Sequence, residues 1–125
     1  MAEITREPNF WNPASGQSDN VVVTSTTATT IKKGTILLSD GAGKYSPVAT
    51  PISATAVTER VAIALETVAL AKSGTATIKA VKAGVIGIEP LYEAAGYTES
   101  TAPDYVLDTI GGKSNLVFVH VKEVN

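Results

Sequence analysis

Short apolar runs separated by turn-forming residues characterise the middle of this chain. The run at residues 36–38 lies between Gly34 and the sequence Asp40-Gly41-Ala42-Gly43, and an extended pattern resumes at residues 45–48. Apolar runs between turn formers are typical of buried strands, and glycine lets the backbone reverse where a positive φ is needed. The pattern therefore predicts a β-hairpin that turns at residues 40–43.

Other stretches also have strand patterns. Residues 61–65 alternate bulky aliphatic residues with alanine, and residues 75–82 alternate until a predicted break at Ala83-Gly84. Residues 85–88 form a further short strand pattern. The most strand-like run is at residues 116–121, which we expect to form a central strand. Its apolar side chains would then be buried, namely those of Val117, Val119 and Val121.

Two regions are less distinct. Residues 57–72 also have apolar residues at helical spacing, but the alternation at residues 61–65 and the break at Gly74 favour strand. Residues 21–23 predict the start of a strand, and the Thr/Ser-rich tract at residues 24–30 predicts an exposed strand edge or an extended connector.

Two segments, residues 89–96 and 101–108, carry the signals of short helices. The first has proline near its start and glycine at its end, which is the usual asymmetry of helix termini. The second has Thr101 and Asp104 at the spacing of a capping box. Gly111-Gly112 then predicts a turn before the last strand.

Residues 1–20 differ from the rest of the chain. Pro8 and Pro13 interrupt regular structure, and the residues that follow have the composition of a linker. Yet Phe10-Trp11 contains the single tryptophan and one of the two phenylalanines of the chain. Two interpretations stay open: the rings pack back onto the domain, or they are contact residues of an arm that becomes ordered on a partner.

Composition and charge narrow the class of protein. A length of 125 residues predicts one domain, with an arm at residues 1–20 and a β domain at residues 21–125. The net charge of −2 without a basic block argues against nucleic acid as a main partner, and no apolar run approaches the ~20 residues of a membrane span. The first residues lack the layout of a signal peptide, and the absence of cysteine excludes disulfides and thiolate chemistry. We predict a mostly β, small single-domain fold with one or two short helices and an extended N-terminal arm.

The sequence offers no convincing catalytic, cofactor or metal site. Gly43-Lys44 and Gly112-Lys113-Ser114 imitate the end of a phosphate-binding loop, but both lack its first glycine and are expected to be turns. The single histidine, His120, has no second histidine or cysteine to share a metal, and we expect a structural or edge-facing role. Lys79 and Lys82 invite comparison with lipoyl or biotinyl carrier hairpins, but they lie within or at the end of one predicted strand rather than in a tight turn.

The order of these features resembles the head decoration proteins of tailed phages, the family that includes the lambda capsid-stabilising protein D. The resemblance covers roughly residues 31–91 and is one of pattern. Its segments are residues 34–40, 45–48, 61–65, 73–78 and 84–85, preceded by a polar, proline-bearing arm. Residues 92–115 contain more sequence than this pattern accounts for.

The resemblance implies a small, mostly β, β-barrel-like (β-tulip) fold with little helix, in a non-enzymatic homotrimer without metal or cofactor. It would be made in the host cytoplasm and would bind at three-fold and quasi-three-fold sites on the outside of the expanded head, where it stabilises the shell. The arm would contact the major capsid protein through Ile4, Arg6, Pro8, Phe10, Trp11 and Asn12. The alternatives are a β domain of another virion part, such as a tail or fibre, or a bacterial surface adhesin, and thirdly a lipoyl- or biotinyl-like carrier domain.

Overall fold

The protein is mostly β, as the sequence predicts. The computed structural model describes residues 10–11, 16–53 and 60–120. Strand accounts for 45% and helix for 18% of the chain, in a small single domain. The elements in chain order are β1 (Gln17–Thr24), β2 (Thr29–Ile31), β3 (Ile36–Ser39), β4 (Lys44–Pro47), β5 (Val61–Ala64), β6 (Val68–Leu70), β7 (Thr75–Gly87), α1 (Ile88–Ala95), α2 (Asp104–Lys113) and β8 (Asn115–Val119).

Five strands close into a barrel. They follow one another in the order β1, β4, β3, β5 and β7, and pairing between β1 and β7 closes the ring. The β1–β4 pair is parallel, and the other four pairs are antiparallel. β8 is an extra strand that pairs with β7 in parallel, while β2 and β6 form a separate two-stranded sheet. Closure pairs each barrel strand on both sides, and so removes the free edges that an open sheet would have.

The predicted hairpin is confirmed between β3 and β4. Oδ1 of Asp40 accepts hydrogen bonds from the amides of Ala42 at 2.7 Å and Lys44 at 3.1 Å, and these two bonds hold the pKa of Asp40 below its ordinary value. Gly41 and Gly43 have φ angles of 78° and 98°, which side-chain-bearing residues rarely adopt. The turn is therefore specified by the residues that the pattern singled out.

Alternation along β3 and β5 divides the core into two apolar clusters. Ile36 and Ile63 belong to the larger cluster, whereas Leu37 and the alanines of β5 belong to the smaller one. Because successive side chains of a strand point to opposite faces, one sheet supplies both clusters. The strand interpretation of residues 57–72 is confirmed for β5 and β6, and the bulky and small faces predicted for residues 61–65 correspond to the two clusters.

β7 runs without interruption through the predicted break at Ala83-Gly84. Residues 75–83 of β7 pair with β1, and residues 83–87 pair with β8. β7 therefore exchanges one hydrogen-bonding partner for another at the position where the sequence predicted that the strand ends. Oγ of Ser114 accepts a hydrogen bond from the Val61 amide at 3.1 Å, which places the start of β8 beside the start of β5. The prediction of two separate strands at residues 75–82 and 85–88 is therefore wrong.

β8 lies at an edge rather than at the centre of the sheet. Within the described part of the chain it pairs with β7 alone. Leu116 is buried, but Val117 is 57% exposed and Val119 is half-buried, while Val121 lies outside the described residues. The predicted central position is thus wrong. Only one face of β8 packs against α2 and the core, and the apolar residues of the other face are partly or largely exposed.

The two helices match their predictions unequally. α1 ends as expected, with Gly96 in the left-handed region at a φ of 80°. α2 begins later than predicted, at Asp104, and continues through Gly111-Gly112, where a turn was expected. The capping box is also wrong, since Thr101 Oγ1 accepts its hydrogen bond from the Thr98 amide at 2.8 Å instead.

Gly111, inside α2, has a packing role. A Cβ atom at Gly111 would lie 2.6 Å from the carbonyl oxygen of Leu116 in β8. Glycine at this position therefore allows the helix to approach the strand closely, and contacts with β8 outweigh the low helix propensity of glycine. The approach covers the face of β8 that carries Leu116 and Phe118.

Candidate functional site

Phe10 and Trp11 are packed into the protein's own core. Their exposed fractions are 1% and 8%, and both rings belong to the larger apolar cluster. The Gly87 amide donates a hydrogen bond to the Phe10 carbonyl at 2.8 Å, and Trp11 forms an antiparallel bridge with Ile86. The interpretation in which the rings pack back onto the domain is confirmed. The prediction that they are exposed contact residues of an arm is wrong.

The division predicted at residue 20 also needs correction. β1 begins at Gln17, so residues 17–20 belong to the barrel. Just before it, Gly16 lies against β7 so closely that a Cβ atom would overlap the carbonyl group of Ala83. The other predicted contact residues lie outside the described part of the chain: Ile4, Arg6, Pro8 and Asn12.

His120 joins the first turns of both helices. Its Nδ1 lies 2.5 Å from Oε2 of Glu89 in the first turn of α1. Its Nε2 lies 2.6 Å from Oδ2 of Asp104 in the first turn of α2. The histidine itself directly follows β8, so one imidazole connects three elements of the fold.

The geometry of this cluster fits a protonated ring. A neutral imidazole has one N–H, whereas two carboxylates facing its two nitrogens require two donors. The hydrogen bond with Glu89, and next that with Asp104, raise the pKa of His120 above its ordinary value. The ring is 54% exposed, so its proton exchanges directly with solvent.

Both ring nitrogens are engaged, which determines what the cluster can do. Neither nitrogen can take a proton from a nucleophile while it contacts a carboxylate. The carboxylates lie on opposite sides of the ring, and in the described residues no three metal-ligating side chains are arranged to hold an ion. The two contacts connect α1 and α2 at the end of β8, which fits the structural or edge-facing role expected of His120.

Two tyrosines hold the connection between α1 and α2. The Tyr92 hydroxyl donates to the carbonyl of Ala102, and the Tyr97 hydroxyl accepts from the Ile36 amide at 2.9 Å. Burial raises the pKa of both tyrosines. For Tyr92, the negative charges of Asp104, Glu99 and Glu89 raise it further. The surroundings of the His120 cluster are thus acidic, and its imidazolium faces more than one negative group.

Two large apolar side chains stand out on the described surface. Tyr105 is 72% exposed and Val117 is 57% exposed. Tyr105 borders a hollow of about 430 Å³ between α2 and the loop that contains Pro51 and Ile52. Val117 borders one of about 320 Å³ beside Gly111 and Gly112. Exposed apolar groups at concave places are suited to contacts with another macromolecule.

The remaining sequence candidates lie in ordinary structural positions. Gly43-Lys44 belongs to the β3–β4 turn, as expected, whereas Gly112-Lys113 ends α2. Lys79 and Lys82 both lie inside β7, which confirms that neither is at a hairpin tip. Lys82 Nζ is 3.6 Å from Oδ2 of Asp19, in a surface ion pair.

No protein-family model matches the sequence, and no curated protein matches it either. In the described residues, no helix has both the length and the apolar character needed to cross a bilayer. The features available for a functional assignment are the barrel, the exposed apolar side chains and the His120 cluster.

Proposed function

We propose that this chain is a decoration protein of a tailed-phage head, which binds the outside of the expanded shell as a homotrimer and stabilises it. The observation that carries the proposal is the position of the strands. β3 and β5 fall within two of the segments on which the resemblance depends, residues 34–40 and 61–65. β4 overlaps a third, residues 45–48, and β7 begins within a fourth, residues 73–78. The small barrel also agrees with the mostly β domain with little helix that the resemblance implies.

The mechanism is one of contact rather than of chemistry. Such a protein connects neighbouring capsomers across their joints, which resists the outward pressure of the packaged genome. Fixing the backbone of a contact segment costs about 1–2 kcal/mol per residue, so a single segment binds weakly. Three segments on one trimer make the later contacts intramolecular, and avidity then multiplies affinity by ~10²–10⁴.

The corrected position of Phe10 and Trp11 changes which residues make these contacts. Both are held by the end of β7, so they fix the base of the preceding segment and do not reach the partner. Ile4, Arg6 and Pro8 precede this fixed point and, with Asn12 directly after it, stay the proposed contact residues. A segment that starts from a fixed base has less freedom to lose on binding than one on a loose linker.

A β domain from a tail, a fibre or a surface adhesin is the second candidate. The exposed side chains of Tyr105 and Val117 favour it, because they give the domain apolar contact groups outside the N-terminal segment. Such a domain would not distinguish expanded shells from unexpanded ones. The carrier-domain alternative has no such support, because Lys79 and Lys82 lie within a strand.

Shell binding is the direct test. Shells of the major capsid protein of the same phage, prepared without this protein, are incubated with it in expanded and unexpanded form and then sedimented. We expect saturable binding to expanded shells only, and in solution a particle three times the 12.9 kDa mass of the chain. Deletion of residues 1–9 should abolish binding without changing the melting temperature. A full-length protein that binds neither form, or that stays monomeric at micromolar concentration, would contradict the proposal.

A further inference from the structure

We propose that Glu89, His120 and Asp104 form a proton-controlled clasp, in which the imidazolium holds the first turns of α1 and α2 at the end of β8 and loss of its proton releases Asp104. This inference goes beyond the proposed function and depends only on contacts within the chain. The clasp joins residues that are 31 and 16 positions apart, so it connects elements that the backbone does not hold together locally.

Loss of the proton must open one of the two contacts. Both nitrogens lie within 2.6 Å of a carboxylate oxygen, and each contact is attractive only while that nitrogen carries a hydrogen. In the neutral ring, one nitrogen would instead direct its lone pair at an anionic oxygen. The proton itself passes to water, to which the 54% exposed ring has access.

The contact with Asp104 is the one that opens. Oδ1 of Asp104 is buried and has no hydrogen-bond partner, so a movement toward water would give this oxygen the partners that it lacks in its present position. The Glu89 side chain is 49% exposed, and its contact with the ring is the shorter of the two, at 2.5 Å against 2.6 Å for Asp104. An ionised carboxylate with one dry, unpaired oxygen is costly without a cation beside it. The neutral ring therefore keeps Nδ1–H toward Glu89, and Asp104 moves toward water.

Neighbouring groups strengthen this tendency. In the described residues, Glu89 and Asp104 act on the ring itself, and the same two carboxylates act on Tyr92 of α1 together with Glu99 of the connecting loop. Tyr92 is neutral because burial and these carboxylates raise its pKa. These charged groups near the ring are therefore all carboxylates. Without the imidazolium, the carboxylates repel one another.

Release of Asp104 has a local structural consequence. Asp104 lies between Pro103 and Tyr105 in the chain. Both of these residues, together with Ile52, line the hollow of about 430 Å³. The rest of α2 stays in place, because three of its residues are buried in the core, namely Val106, Leu107 and Ile110. Opening is therefore confined to the first turn and to the wall of this hollow. The protonation state of His120 thus sets the shape of the surface that carries the exposed Tyr105 ring.

NMR on the free protein tests the clasp. The ring proton signals of His120 are followed against pH, together with hydrogen exchange at the amides of Val106 and Leu107, which both donate to the Pro103 carbonyl at 3.0 Å. We expect the ring to titrate above about pH 6.5, the ordinary value for histidine. Intrinsic exchange rises with pH at every amide, so the Ala64 amide, bonded to the Thr35 carbonyl, serves as the reference. Relative to the Ala64 amide, exchange at the amides of Val106 and Leu107 should become at least threefold faster as pH rises. The midpoint of this change should coincide with the pH at which the His120 ring is half-titrated.

Matched variants separate the clasp from general charge effects. Asp104→Asn and Glu89→Gln should each lower the midpoint of the ring, whereas Glu99→Gln, which changes the same charge without touching the ring, should lower it less. His120→Gln should remove the pH-dependent step in exchange. A ring midpoint at or below about 6.5, or a helix step that persists in His120→Gln, would overturn the proposal. No shell is involved, so this result is independent of the proposed function.

Discussion

The carbonyl oxygen of Phe10 accepts a hydrogen bond from the amide of Gly87, 2.8 Å away, at the last residue of β7. The adjacent Trp11 pairs with Ile86, so two consecutive residues near the N-terminus are fixed to the end of the longest strand. Both aromatic rings then complete the larger apolar cluster. Substitutions at these positions therefore report on folding before they report on any partner.

Trp11→Ala should destabilise the fold strongly. Truncation of a buried aromatic side chain to alanine costs about 3–5 kcal/mol, and Trp11 is only 8% exposed. Circular dichroism in guanidinium chloride measures the loss without needing the tryptophan signal. Val117→Ala, at a site that is 57% exposed, is the control and should change stability by less than about 1 kcal/mol. Equal stability of Trp11→Ala and the wild type would show that the ring is not part of the core.

Gly111→Ala and Gly112→Ala should have opposite effects although both lie in α2. A Cβ atom at Gly112 meets nothing within 4 Å, so alanine should stabilise the helix by about 0.5–1 kcal/mol. At Gly111 it would lie 2.6 Å from the Leu116 carbonyl, and the forced shift of α2 should cost about 1–3 kcal/mol. Thermal melting of the two variants side by side measures the difference, and a matching sign in both would refute the close approach of α2 to β8.

Leu116→Asp and Val117→Asp test the edge position of β8. Leu116 is 2% exposed, so aspartate there buries an unpaired charge and should leave little folded protein. Aspartate at the exposed Val117 should cost about 1 kcal/mol or less. Yield of soluble protein and cooperative melting are the measurements. If Val117→Asp unfolds the protein as Leu116→Asp does, β8 has a buried position after all.

Stability should depend on pH through His120. The folded-state pKa is raised, first by Glu89 and then by Asp104, above the unfolded value of about 6.5. The folded state thus binds the proton more tightly, so this stabilisation is complete below about pH 6.5 and disappears as pH rises through the folded pKa. The melting temperature of wild type minus that of His120→Gln should be positive at about pH 5.5 and should fall as pH increases. A difference that is constant over this range would mean that the ring and the carboxylates are not coupled.

Elements with local signals are the ones that the sequence determined by itself. The β3–β4 turn depends on Asp40 and on glycines with positive φ, and α1 ends at Gly96 in the left-handed region. Alternation along β5 predicted two faces, which proved to be two apolar clusters. In each case the determining interactions lie within a few residues, so composition and spacing suffice.

Tertiary structure decided the features that depend on distant residues. Phe10 and Trp11 are in the core because they pair with the end of β7, about 75 residues away. The linker-like residues around them contain no local signal that predicts this pairing. Gly111 remains helical because a strand approaches it, and β8 lies at an edge because β7 alone pairs with it in the described chain. His120 contacts Glu89 and Asp104 because the fold places the first turns of α1 and α2 beside the end of β8. Packing, not local preference, assigned these roles, because the contact free energy between distant segments exceeds the small local propensities along the chain.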